Sequence, residues 1–494
     1  MSMSFNSSTS DLSNQQNRSG SGWKVFLLPG ILVCAMIIFA AARGDLWLDE
    51  IWSIFISEAA KSPWDIVSLF KHDNNHLLNT FYLYLIGKQN HLVVYRLFSI
   101  AAGIGSLFLL TAMASTWGYL ERIFVLLFAG FSYPLILYFS EARGYAPAIF
   151  FALSSLFVLE KCLTNYSTIK LLLFWLCSCL GTLSHLSYII AFLSLSIFVI
   201  YNEFSGSSSL KSKLQNSFKY LLIPSVFIIS FYLYYAKDMT IGGGDVNDPF
   251  KEISRGIAYL LGLPHGSIPW RVAAFGLFMS MALIGAYLYQ KEGNRVWSFV
   301  IPILVLPPVV IIFVLRPTIY YFRYLVVTFP FFYLLLSSLL GRLYRSSGKY
   351  SYIPLIILCV YFIGQTQYLL PLLRDGRGNY QAILREISEK SEGNDLKVGS
   401  DHDFRNRMLL SFYQRFLPSQ QTLQYIEQSR WNVEPPEWII THSTSASFEP
   451  DPFISISVYR VYKLARSERF SGNSGFCWSL YHRIDPGLTP GRNP

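Results

Sequence analysis

The sequence predicts an all-α polytopic membrane protein that ends in a small α/β domain. Three observations predict it. Of the 494 residues, 52% are hydrophobic and only 14% charged, against ~25% charged in an average soluble domain. Apolar stretches long enough to cross a ~30 Å hydrocarbon core as helices recur along most of the first 370 positions. Beyond them the chain turns to mixed charge with period-two alternation.

The first 23 residues are rich in Ser, Asn and Gly, lack the apolar surface to fold, and read as a disordered cytoplasmic tail. A cleaved leader fits poorly, because "AARGDLW" follows the first apolar run where small residues should mark a cleavage site, so that run reads as a retained helix. The region 24–370 holds about eleven spans by the length criterion. They fall at 24–42, 97–116, 122–139, 145–160, 170–184, 186–202, 219–236, 272–290, 296–315, 321–340 and 351–370.

Charge sets the orientation. With the N-terminus inside, the inner segments carry thirteen basic residues against five acidic ones, whereas the outer loops and the tail are nearly balanced. The net charge of +10 is therefore a topology signal and calls for no nucleic-acid partner. Membrane lipids are the expected surroundings. Five of the six cysteines lie in or beside spans, which excludes a disulfide scaffold, and Cys177 and Cys179 diverge on a helix, which argues against a metal pair.

Three long pieces face outward: 43–96, 237–271 and the segment 371–494. In the first, "DEIWSIFISEAA" and "SPWDIVSLF" read as short amphipathic helices along the bilayer surface, the second with Ser62 as cap and Pro63 at its first position. In the last, "DLKVGS", "EWIITHS" and "FISISVYRVYKL" read as strands and "DFRNRMLLSFYQRF" as an amphipathic helix, giving an extracytoplasmic α/β domain.

Candidate chemistry gathers at the outer boundaries. Asp49 and Glu50 are adjacent acids in "GDLWLDEIWSIF", at the mouth of the first span. One such acid could merely favour a helix N-terminus. The same loop continues, however, with His72, Asp73, Asn74, Asn75, His76 and Asn79 in "FKHDNNHLLNTFYLYLIG", and helical spacing would set His72, His76 and Asn79 on one face. This cluster suits sugar hydroxyls and also leaves room for a divalent cation. In "YFSEARGYAPAIFF", Glu141, Arg143 and Tyr145 sit at a span end, where ionisable groups are costly and mark function; a Glu–Arg pair pinning the turn is the plainer alternative. "LRPTIYYFRYLVV" supplies Arg316, Tyr320, Tyr321, Arg323 and Tyr324, whose arginines suit an anionic headgroup, while interface tyrosines are commonly anchors. His185 reads as a hydrogen-bonded structural histidine, and His265 in "LGLPHGSIPW" as a further polar candidate.

"LWLDEIWS", "HDNNHLLNTFYL", "SEARGYA" and "RPTIYYFRYLVV" resemble, in order and in membrane position, the GT-C glycosyltransferases, particularly bacterial relatives of the dolichyl-phosphate-mannose protein mannosyltransferases. The resemblance covers roughly 24–340. It implies a membrane glycosyltransferase that moves a sugar from a polyprenyl-phosphate carrier to a glycan, lipid or protein acceptor on the non-cytoplasmic side. It implies Asp49 as the catalytic carboxylate beside Glu50 in an acidic pair, and Arg143 and Arg323 as donor-phosphate contacts, with Tyr324, Glu141 and Tyr145 around them. His72, Asp73, Asn75, His76, Asn79 and His265 are the expected substrate contacts. The family loop often reads Asp-x-His-Pro-Pro-Leu-Tyr where this chain has "DNNHLLNTF"; His76 matches and both prolines are replaced, so acceptor preference does not carry over. No cofactor is required where arginines can act as the electrophilic clamp. A secondary transporter would instead carry its ionisable groups near the bilayer midplane between related halves, and a non-catalytic lipid or glycan assembly protein would need none of the acids for its role.

Overall fold

The computed structural model describes residues 22–242, 246–346, 350–443, 449–457, 460–468 and 477–484. The tail expected to be disordered lies almost wholly outside them. In chain order the helices are α1 (Gly22–Ala41), α2 (Leu48–Ala59), α3 (Pro63–Ser68), α4 (Leu77–Ile86), α5 (Leu92–Met113), α6 (Tyr119–Gly130), α7 (Tyr133–Phe139), α8 (Tyr145–Thr164), α9 (Thr168–Ser184), α10 (Tyr188–Phe204), α11 (Leu210–Tyr234), α12 (Pro249–Leu261), α13 (Ile268–Lys291), α14 (Trp297–Leu315), α15 (Phe329–Arg345), α16 (Ile353–Asp375), α17 (Tyr380–Lys390) and α18 (Asp403–Tyr413).

Every predicted span falls on these helices, 122–139 being divided between α6 and α7. Among the described residues seven are long and apolar enough to cross a membrane by length and composition, and the bent pair α6–α7 makes an eighth. The remaining three predicted spans, on α1, α9 and α10, are shorter apolar helices. The chain is an integral membrane protein. The 66° bend between α6 and α7 has a local cause: Ser132 caps α7 through its hydroxyl, which accepts from the Leu135 N–H, and Pro134 opens that helix with no N–H to continue the one before. α14 is similarly irregular. Pro302, Pro307 and Pro308 remove donors from its ladder, and two stretches, Ile301–Val305 and Ile311–Leu315, widen to π geometry.

The segment Phe322–Arg345, a 3-10 turn running into α15, is the central element, with 89% of its apolar window buried, whereas Leu210–Asp238 at the periphery is 17% buried. One apolar core runs through the membrane helices. A second joins Leu46, Ile51, Ile54 and Tyr95 to Ile383, Leu410, Trp438 and Trp478, so the segment after α1 and the C-terminal domain share a hydrophobic interior.

That domain carries a six-stranded sheet in the order β2-β1-β3-β6-β5-β4, where β1 is Asp395–Ser400, β2 Thr422–Tyr425, β3 Trp438–Ser443, β4 Phe453–Ser457, β5 Arg460–Glu468 and β6 Cys477–Ile484. β1 pairs in parallel with β2 and β3, and the remaining pairs are antiparallel. The three predicted strands and the predicted helix α18 are present, with "FISISVYRVYKL" divided into β4 and β5. Both amphipathic pieces of the first loop are helical too, and Asp65 closes the start of α3 by accepting from the Ser62 N–H at 3.0 Å and its hydroxyl at 2.9 Å.

Candidate functional site

A cavity of about 1090 Å³ opens where α2, the turn before α8, the break between α9 and α10, and the segment before α15 converge. Its polar end is lined by Asp49, His72, Asp73, His76, Arg143 and Arg323. Its other end is an apolar groove between α10 (Leu193, Ile197, Ile200) and α14 (Leu306, Val310, Ile311).

Asp49 sits in the first turn of α2, and one of its carboxylate oxygens, Oδ2, meets both arginines: Nη1 of Arg143 at 2.9 Å and Nη1 of Arg323 at 3.2 Å. These residues come from points 94 and 274 positions apart from Asp49 in sequence and from three separate elements. Asn74 locks the arrangement. Its Nδ2 donates to the Asp49 carbonyl at 2.7 Å, and its Oδ1 accepts from Arg143 Nη2 at 2.9 Å. Burial alone pushes the Asp49 carboxyl up, but Arg143 and Arg323 outweigh it and hold the group below the ordinary carboxylate range. Both guanidinium groups keep a buried Nε–H without a protein partner, so each retains donor capacity beyond Asp49.

Glu50 lies elsewhere. Consecutive helical residues project about 100° apart, and Glu50 turns away from the cavity into the protein, fully buried. Its Oε1 accepts from Arg96 Nε and the Ala142 N–H, its Oε2 from Arg96 Nη2 and the Trp47 N–H, all at 2.7 Å. Arg96 spends its remaining donors on the carbonyls of Ala42, Gly44 and Asp45. Glu50 is thus a structural anchor whose acceptor positions are filled, which corrects its expected place as a chemical partner of Asp49.

Other expectations divide in the same way. His72, Asp73, Asn75, His76, Tyr145 and Tyr324 line the cavity; Glu141, Asn79 and His265 are not among its lining. Glu141 is buried in an ion pair with Arg377. Asn79 donates to the Ala142 carbonyl at 2.8 Å, and His265 is held between the hydroxyls of Tyr259 and Tyr368, each at 3.3 Å. Asn75, although at the cavity, spends its Nδ2 on the carbonyls of Ile66 and Phe70. The helical face expected for His72, His76 and Asn79 does not form. The chain at 72–75 is a turn tied to Thr240, with His72 Nδ1 paired to Asp73 at 2.8 Å, and α4 begins only at Leu77, after His76.

Gly144 is required where it stands. A Cβ there would lie 1.8 Å from the Ser184 carbonyl oxygen and 2.9 Å from His76 Cβ, so only glycine lets the Arg143 turn close on the break between α9 and α10. Arg96, Arg377, Tyr320 and the bridging part played by Asn74 were missed or unassigned at the sequence level. Arg96 did leave a signal, being a lone cation in the apolar "LVVYRLFSIAAG". Among the described residues no three His, Cys, Asp or Glu side chains group to hold a metal ion.

No family model matches the sequence, and no curated protein matches it. The fold is similar to that of ArnT from Cupriavidus metallidurans in the apo state, with a TM-score of 0.53 and 13% identity over 94% of this chain and 98% of that one. ArnT bound to undecaprenyl phosphate aligns with a TM-score of 0.48 and 12% identity over 93% and 98%. The archaeal oligosaccharyltransferase AglB from Archaeoglobus fulgidus, in complex with an inhibitory peptide and a dolichol-phosphate, aligns with a TM-score of 0.43 and 10% identity over 85% and 70%. The chain shares the overall fold of ArnT.

Proposed function

We propose that this protein is a membrane glycosyltransferase that moves a sugar from a polyprenyl-phosphate donor to an acceptor at the extracytoplasmic surface. The observation that carries the reading is a carboxylate between two arginines at the head of an apolar groove. The groove between α10 and α14 takes the isoprenoid tail. Arg143 and Arg323 take the phosphate with the donors they do not spend on Asp49. Asp49 takes the proton of the acceptor hydroxyl as its oxygen attacks the anomeric carbon. The bond from that carbon to the phosphate oxygen breaks on the opposite face, giving inversion. Polyprenyl phosphate leaves with the electron pair, and the arginines offset the charge that grows on it.

In this reading the N-terminus lies in the cytoplasm and the cavity, with the C-terminal domain, on the outer side of a bacterial plasma membrane, an orientation that the charge bias of the sequence supports. Residues 24–370 serve as the transmembrane catalytic unit and 371–494 as its outer domain. The shared fold with ArnT supports the general architecture. Asp49→Asn tests the reading: transfer from a polyprenyl-phosphate donor is lost while membrane insertion and donor binding persist. Retention of most transfer activity in that variant refutes it.

A further inference from the structure

We propose that His76, His185, Tyr145 and Tyr320 form the wall against which the transferred sugar lies, and that this wall selects an uncharged ring bearing hydroxyls. The inference rests on the glycosyl-transfer reading and adds the sugar's chemical class to it.

The first observation is unmet hydrogen-bonding capacity. His76 Nε2, Tyr145 Oη and Tyr320 Oη are all buried and have no protein partner, and all three residues line the cavity. His76 is 5% exposed, Tyr145 1% and Tyr320 7%. Buried polar atoms are almost always satisfied. Three orphans on one wall therefore mark a place where a polar ligand completes the bonding.

The second observation is position. The Tyr145 ring lies 4.9 Å from the Arg143 guanidinium carbon. From it the rings continue: Tyr145 to His185 at 4.3 Å, His185 to His76 at 4.8 Å, and His185 by way of Tyr324 at 6.4 Å to Tyr320, a further 5.5 Å on. A group bonded to a phosphate on Arg143 and Arg323 thus meets this wall first. Gly144 lets it assemble, since any side chain there would strike both His76 and the His185 loop.

The third observation is charge. Burial, then His185, Arg143 and Arg323, keep the His76 imidazole neutral, and burial with the same arginines lowers His185 to about 3. Neutral imidazole and phenol groups donate and accept with alcohols. They offer no counter-ion to an ammonium, and the nearby carboxylates Asp49 and Asp73 are already paired with Arg143, Arg323 and His72. Among the described residues that line the cavity, a sugar carboxylate would find no cation beyond the two arginines that hold the phosphate.

The test uses the full-length protein in detergent and non-transferable phosphonate analogues: citronellyl phosphonate alone, and its C-glycosides of glucose, mannose, galactose, glucosamine and glucuronic acid. At least one neutral hexose is expected to tighten binding about tenfold over the sugar-free phosphonate, with no such gain from glucosamine or glucuronic acid. His76→Phe with Tyr320→Phe is expected to erase the gain and leave citronellyl phosphonate binding unchanged, a pattern general misfolding would not produce. Equal gains from the charged sugars, or a full neutral gain in the double variant, overturn the inference. So does binding of the sugar-free phosphonate with no gain from any neutral hexose, which leaves the glycosyl-transfer reading standing. If the sugar-free phosphonate itself does not bind, that reading falls and this inference with it.

Discussion

Adjacent acids in one helical turn should fail in opposite ways. Glu50 accepts four hydrogen bonds at 2.7 Å, two on each oxygen, and each oxygen serves one Arg96 nitrogen and one main-chain N–H. In Glu50→Gln the amide must turn its NH₂ toward one of those two sides, so an arginine donor and a main-chain donor lose their acceptor whichever way it faces. The negative charge that offsets the buried Arg96 disappears as well. Removing one partner of a buried ion pair costs ~3–5 kcal/mol, a ~10²- to 10⁴-fold fall in the folding equilibrium. Asp49 stands at the cavity edge, its side chain 19% exposed, and among the described residues no main-chain N–H bond to its carboxylate organises the helix start. Asp49→Asn is therefore expected to abolish transfer and to lose less stability than Glu50→Gln, which melts markedly earlier. Heating the detergent-solubilised proteins and following the surviving monodisperse peak by size-exclusion chromatography measures both. The reasoning is refuted if Glu50→Gln melts with wild type, or if Asp49→Asn loses more stability than Glu50→Gln.

Arg143→Ala or Arg323→Ala should each weaken donor-phosphate binding by ~10- to 100-fold, the scale of one charged hydrogen bond at ~1.5–3 kcal/mol; isothermal titration with a short-chain prenyl phosphate reads this, and unchanged affinity in both variants would reject the phosphate assignment. Gly144→Ala should lower transfer sharply even though it adds one methyl group, because a Cβ there meets the Ser184 carbonyl; a variant with wild-type turnover would show that the turn need not close. Burial raises the Glu50 carboxyl but Arg96 more than offsets it, leaving it below its ordinary 4.5, so its stabilisation is complete above that pH and is lost as pH falls through the lower folded value. Melting midpoints recorded on acidification should fall less steeply for Glu50→Gln than for wild type, and parallel curves would contradict this. With two arginines as the electrophilic clamp, transfer should survive treatment with EDTA; loss of activity restored by a divalent cation would overturn that part of the mechanism.

Much of this architecture was legible because a membrane permits few backbone solutions: a span-length apolar run has to be a helix. Hence each predicted span met a helix, and outer-boundary motifs as distant as Asp49, Arg143 and Arg323 converged on one cavity. The reading failed where side-chain direction decides. Asp49 and Glu50 look alike in sequence, and helical projection separates them, one toward the cavity and one toward Arg96. The loop at 72–79 was expected to present three residues on one helical face, but Thr240, brought in from the second outer loop, holds its first part as a turn. Glu141 and Arg377 lie 236 positions apart, and nothing local to either announces their pairing. β2, β6 and α17 were missed for a related reason: short or mixed-pattern segments acquire their state from the neighbours they pair with.

The C-terminal domain is more than an appendage to this cavity. Tyr413 Oη accepts from the Leu46 N–H at 2.6 Å, Asp45 accepts from the Gln381 N–H at 3.0 Å, Arg415 reaches Glu58 at 3.0 Å, and Arg377 stacks over Trp47 while pairing with Glu141. The stretch bearing Asp49 is thereby fastened at both ends by residues made more than three hundred positions later. During synthesis the membrane helices can insert one after another, yet the segment bearing Asp49 lacks these contacts until residues 377–415 have emerged and folded against it. A chain stopped before those residues would carry the membrane helices without the contacts that hold the Asp49 segment.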